Sequence, residues 1–112
     1  MSKKKKQVRE SFRDAVFSRD KYSCKVCGKK FSKKQAETEL DAHHIIDRND
    51  LPNQGMIREN GISLCKACHE EAEKFHRDGI TSEKYMPENL FALINSGPEL
   101  ALISSIIFGK AE

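Results

Sequence analysis

The chain has 112 residues, 38% hydrophobic and 33% charged, with no Trp and a net charge of +3. A chain this short is expected to fold as a single domain, 1–112. Its thin core calls for a staple such as disulfides or a metal. Charge is split along the chain: residues 1–34 carry 13 Lys+Arg against 3 Asp+Glu, and residues 35–112 carry 7 against 14. A basic front end suggests a polyanion partner, or else a solvated lysine tail.

Met1-Ser2 and the four lysines after them have no apolar h-region, so residues 1–6 are expected to be disordered and the protein cytoplasmic. From 7 to 19 a helical period follows. Val8, Phe12, Ala15 and Val16 share one face and should dock on what comes next. Arg13, Arg19 and Lys21 are free to touch phosphates or to face water. Tyr22–Phe31 reads as a knuckle built on Cys24-Lys25-Val26-Cys27, with Gly28 supplying the turn and Phe31 as a cover. Residues 32–38 are polar, a loop or a short helix.

A second pair, Cys65-Lys66-Ala67-Cys68, follows with 37 residues between Cys27 and Cys65. Two Cys-x-x-Cys pairs in a reducing compartment predict a structural Zn2+ held by Cys24, Cys27, Cys65 and Cys68. Between the pairs, residues 39–46 read as a strand. Alternation puts Leu40, Ala42, His44 and Ile46 on one face and Asp41, His43 and Ile45 on the other. Residues 47–60 form a long polar connection of a length that is often functional. Gly61–Leu64 is a short second strand. It runs into a helix whose composition holds to Arg77, with Asp78-Gly79 as its C-cap. The strand–strand–helix unit is therefore 39–77.

Beyond it, residues 87–95 and 99–108 suggest two short apolar helices broken by Ser96-Gly97-Pro98. They are too short and interrupted to span a bilayer, so no membrane partner is expected. Leu90, Phe91, Leu93 and Ile94, with Leu100, Ile103, Ile106 and Ile107, either pack on the body or form a dimer surface, leaving a monomer or a weak homodimer.

The run Cys24-x-x-Cys27-Gly28, His43-His44-Ile45, Asn60-Gly61-Ile62-Ser63-Leu64-Cys65-x-x-Cys68-His69 resembles the HNH endonuclease family, in the branch braced by a four-cysteine zinc. The resemblance covers residues 19–77. It implies an α+β fold: a small ββα-metal, treble-clef-like core with flanking helices. It also implies catalytic roles for His43, His44, Asn60 and His69. His44 matches the general base, His43 and His69 the ligands of a catalytic Mg2+ or Mn2+, and Asn60 the middle residue of the motif. His43 stands where much of this branch has Asp. Some members carry a further histidine four residues after the last one, and here that position is Glu73. The reaction implied is hydrolysis of DNA phosphodiesters.

The chemistry agrees with the resemblance. Phosphodiester hydrolysis needs a base for water and a cation for the developing charge, and a neutral histidine can serve as the base. A metal held by only two protein groups leaves positions open for phosphate oxygens and water. Asn60 would either ligate the metal or brace the His43–His44 backbone. Asp41 or Asp47 could orient a histidine through its second ring nitrogen. Glu73 and His76 either join the metal site or form a solvated helix face. With no room for a recognition domain, nicking with low sequence specificity is expected. The competing expectation is a non-catalytic zinc-stabilised module that binds nucleic acid. A zinc-stabilised protein-interaction domain has only the apolar tail in its favour.

Overall fold

The computed structural model describes residues 2–110, and the expectation for residue 1 lies outside them. Five α-helices surround one two-stranded sheet: α1 (Ser2–Arg19), α2 (Lys33–Glu39), β1 (Leu40–His44), β2 (Gly61–Cys65), α3 (Lys66–Asp78), α4 (Pro87–Leu93) and α5 (Pro98–Lys110). The strands pair antiparallel, with Leu40 opposite Cys65, His43 opposite Ile62 and His44 opposite Gly61. With α3 they form the ββα core that the motif predicts, and the four cysteines cluster at its base. The fold is a small α+β one, and its four clustered cysteines are consistent with the zinc-braced core that was expected.

Helix α1 begins at Ser2, so residues 2–6 are helical where disorder was expected. Lysine is a good helix former and no Gly or Pro interrupts the run, so the docked part of the helix propagates outward. Its buried face is also shifted from the expected one. Phe12 and Val16 are buried, but Phe17 replaces Ala15, which is exposed. The shift follows from the helix end, where the Tyr22 N–H donates to the Phe17 carbonyl and turns the chain into the knuckle. Helix α1 crosses the sheet directly over Gly61. A Cβ there would sit 2.7 Å from Phe12 Cζ, so only glycine permits this approach.

Residues 32–38 are largely helical rather than loop. Ser32 and Gln35 close a capping box at the start of α2, each bonding the other's backbone N–H. The core lies between α1 and α3, where Val16, Leu40, Ile45, Ile62 and Leu64 are almost fully buried. Each such side chain contributes roughly 1.5–3 kcal/mol of transfer free energy. Helix α3 ends as expected on Gly79, whose φ of 77° is left-handed and whose N–H caps the Phe75 carbonyl. The 47–60 connection is a series of short turns at Arg48–Asp50, Pro52–Gly55 and Arg58–Asn60.

The last two helices run Pro87–Leu93 and Pro98–Lys110, within two residues of their expected limits. In α4, Leu90 and Phe91 are buried. In α5 the buried residues are small, Ala101 and Ser105. This lets the helix lie close to the 52–60 segment, and the Asn53 amide donates to the Ser105 carbonyl at 2.8 Å. Leu100, Ile103, Ile106 and Ile107, expected either on the body or at a dimer surface, stay 40–60% exposed. No single helix among the described residues is long and apolar enough to cross a membrane.

Candidate active site and zinc centre

Two clusters of ligand-type side chains lie at opposite ends of β2. The first is Cys24, Cys27, Cys65 and Cys68, whose sulfurs all fall within 4.8 Å of one another. The knuckle is shaped by local backbone chemistry. The Gly28 N–H donates to the Cys24 carbonyl with Gly28 at φ 81°, and the Cys24 N–H donates to the Lys29 carbonyl. Burial opposes ionisation of Cys24, but N–H groups of Cys27, Cys65 and Val26 donate to its sulfur and bring the thiol down to about 7. Burial pushes Cys68 up to about 12. Four gathered sulfurs therefore ionise together only with a cation among them, and an all-thiolate tetrad suits structural Zn2+.

The second cluster is His43, His69 and Glu73, whose ligand atoms lie within 4.8 Å of one another. Strand alternation places it. Asp41 and His43 point from β1 toward α3, while His44 points the other way and stacks on Phe12 of α1, with ring centroids 4.5 Å apart. The start of α3 is fixed by Cys65 and Cys68, so the cysteine tetrad sets where His69 sits. The His69 Nδ1–H donates to Asp41 Oδ2 at 2.9 Å, which turns Nε2 toward Glu73 Oε1, 3.4 Å away. Asp41 is held down to about 2, chiefly by that bond and further by Lys66. Such a carboxylate–histidine pair is what orients a metal-binding imidazole.

Asn60 is fully buried and braces the site. Its Oδ1 accepts from the Ile46 N–H at 2.9 Å, and its Nδ2 donates to the carbonyls of Ile46 and Gly55. Both amide ends are engaged by backbone, which is the bracing role rather than the ligating one.

A family model described as HNH endonuclease matches residues 24–75. Over this stretch the chain is similar to HNH endonucleases. Neither the curated proteins nor the solved structures yield a match.

Three of the four histidines, His44, His69 and His76, line a polar cavity of about 360 Å³ together with Ala42, Asp47, Arg48, Asn49 and Glu73. Burial, reinforced by His69 and His76, pushes His43 down to about 2, so its imidazole stays neutral. Its Nδ1 is buried with no hydrogen-bond partner. A neutral imidazole beside His69 and a carboxylate is a fitting donor set for a divalent cation. His44 is pushed down to about 4 by burial and then by the Arg48 charge. Its Nε2 is buried and unpartnered, which leaves Nδ1 as the ring nitrogen able to face the cavity.

Three residues at these sites could not be assigned from sequence. Tyr85, far along the chain, donates its hydroxyl to the Cys68 sulfur at 3.3 Å. Arg19 does not face a phosphate. Its guanidinium bonds the carbonyls of Arg58 and Gly61 and pairs with buried Asp20, whose carboxylate accepts the Ser63 N–H. His76 turns inward, against the expected alternatives of metal ligand or solvated surface. Its only sequence signal was the seven-residue spacing from His69, which puts both on one helix face.

Proposed function

We propose that this protein is a divalent-metal-dependent DNA endonuclease that hydrolyses phosphodiester bonds, nicking one strand with low sequence specificity. One observation carries the reading: the general-base candidate His44 lines one polar cavity together with His69 and Glu73, and buried His43 completes the ligand set behind them. Asp41 fixes the tautomer of His69, and the zinc-anchored helix start fixes its position.

In this reading His44 is the base. At neutral pH its ring is unprotonated, and the lone pair on Nδ1 can take a proton from a water in the cavity. The negative charge of an arriving phosphate makes His44 a stronger base than it is alone. Arg48, exposed on the cavity rim, meets a non-bridging phosphate oxygen. Asn60 keeps the backbone after His44 in place. His43, His69 and Glu73 would hold Mg2+ or Mn2+, which when bound supplies charge neutralisation on the phosphate and the leaving oxygen. The basic residues of α1 would supply backbone attraction without reading bases, which suits low specificity. One such site cuts one strand per encounter, so a monomer nicks.

The test is supercoiled plasmid incubated in Mg2+, in Mn2+ and in EDTA, with His44→Ala beside the wild type. Nicked circles appearing only with metal and only in the wild type are expected. His44→Ala should still shift DNA on a gel. A wild type that binds plasmid and never cuts it would replace this reading with the zinc-stabilised nucleic-acid-binding module.

A further inference from the structure

Both strands of the two-stranded sheet are edges. The Ile45 N–H donates to the Asn60 carbonyl, which extends the ladder's alternation by one bond beyond His44, although the Asn60 N–H turns to the Ile57 carbonyl instead. His44, opposite Gly61, is therefore at a non-bonded position, and its own carbonyl points away from β2 with no strand to receive it. A carbonyl in that position leaves the base's peptide free to rock on an open edge.

His76 fills the gap. Its Nε2–H donates to the His44 carbonyl at 2.8 Å, and its ring stacks on His43, centroids 5.2 Å apart at 26°. Helix α3 presents His69, Glu73 and His76 on one face, at spacings of four and three residues. The first two belong to the ligand set and the third grips the strand that carries the base. The bond uses Nε2, the nitrogen His76 would otherwise offer most readily to a cation.

Resting on the nuclease reading, we infer that His76 is a positioning residue: it ties the metal-holding helix to the peptide of the catalytic base and so fixes the distance between base and metal. Asn60 holds the chain just after His44 from the β2 side, and His76 holds His44 itself from the open side. The two together leave the His44 peptide little freedom.

The test compares His76→Phe, which keeps a ring against His43 but has no donor, with His76→Gln, whose side-chain amide reaches as far as Nε2. Plasmid nicking is measured in single turnover at saturating Mn2+, with Mn2+ affinity and zinc content measured on the same samples. The carbonyl carbon of His44 is followed by NMR. Phe should slow cleavage by about 10–100-fold, as loss of a supporting partner does, with zinc content unchanged and Mn2+ affinity nearly so. The His44 carbonyl shift should move in Phe and return in Gln, and Gln should recover most of the rate. Wild-type cleavage by Phe, or Gln as slow as Phe, overturns the inference. If Phe does not fold, Gln against Asn, whose amide is one methylene short, makes the same comparison. If the wild type cuts nothing, it is the nuclease reading that fails. The clamp is then judged on the His44 carbonyl alone, and an unmoved shift in Phe overturns it.

Discussion

The Nδ1–H of His69 donates to Asp41 Oδ2 at 2.9 Å, so a strand residue decides which nitrogen of a helix residue faces the cavity. The same carboxylate also takes a bond from Lys66 at 2.8 Å. Asp41→Asn keeps the shape and one acceptor but removes the charge that strengthens His69 as a donor to metal. Mn2+ binding should weaken by roughly 10–100-fold, read by calorimetric titration, with zinc content unchanged. A variant that binds Mn2+ like the wild type would show that Asp41 only steadies Lys66.

The Asn60 side chain makes three bonds to backbone while almost wholly removed from water. Asn60→Ala leaves the Ile46 N–H and C=O without partners. Each such group costs about 1–3 kcal/mol when it cannot reach water, so a total near 2–4 kcal/mol is expected. Urea unfolding at saturating zinc checks this. A midpoint shift worth under ~0.5 kcal/mol would mean that water replaces the amide.

How far the site could be read from sequence depends on how local each signal is. Each Cys-x-x-Cys pair, the His43–His44 pair and Cys68-His69 are short-range patterns; metal-ligand chemistry joins the two distant cysteine pairs, and the family resemblance supplies the histidine roles. Strand alternation already separated His43 from His44, and the structure sends one to α3 and the other to Phe12. Helical phase fails where a helix ends under a tertiary bond, which is why Phe17 rather than Ala15 is buried. Tyr85 and Arg19 were hidden for another reason. Each acts on residues 17 or more positions away, and a lone Tyr or Arg carries no spacing signal. In α5 the long apolar residues suggested the contact face, but close approach to the 52–60 segment selects the small Ala101 and Ser105 instead.

Arg19 and Arg13 lie on the same helix and should behave in opposite ways. Arg19→Ala removes bonds to the Gly61 and Arg58 carbonyls and strips buried Asp20 of its ion pair. Stability should fall by about 1–3 kcal/mol, while the salt dependence of DNA binding stays as in the wild type. Arg13 is exposed, so Arg13→Ala should leave stability unchanged and reduce the salt slope by about one phosphate contact. Filter binding across a salt series, beside thermal melts, separates the two. An unchanged slope for Arg13→Ala would place DNA on another face.

Zinc loss should undo the protein, because the tetrad joins the knuckle to the start of α3 and its sulfurs come from both ends of the HNH segment. Cys65→Ser should give a largely unfolded chain without bound zinc, whereas Tyr85→Phe should give a folded one that holds zinc less tightly. Tyr85 donates to Cys68, the sulfur that burial most strongly disfavours as an anion, so losing that hydroxyl raises the free energy of the thiolate. A loss of roughly 10–100-fold in zinc affinity is expected, measured by competition with a chromophoric chelator, with circular dichroism of the loaded protein unchanged. If Tyr85→Phe instead releases zinc no faster than the wild type, the hydroxyl is a packing feature and backbone N–H groups alone support the thiolates.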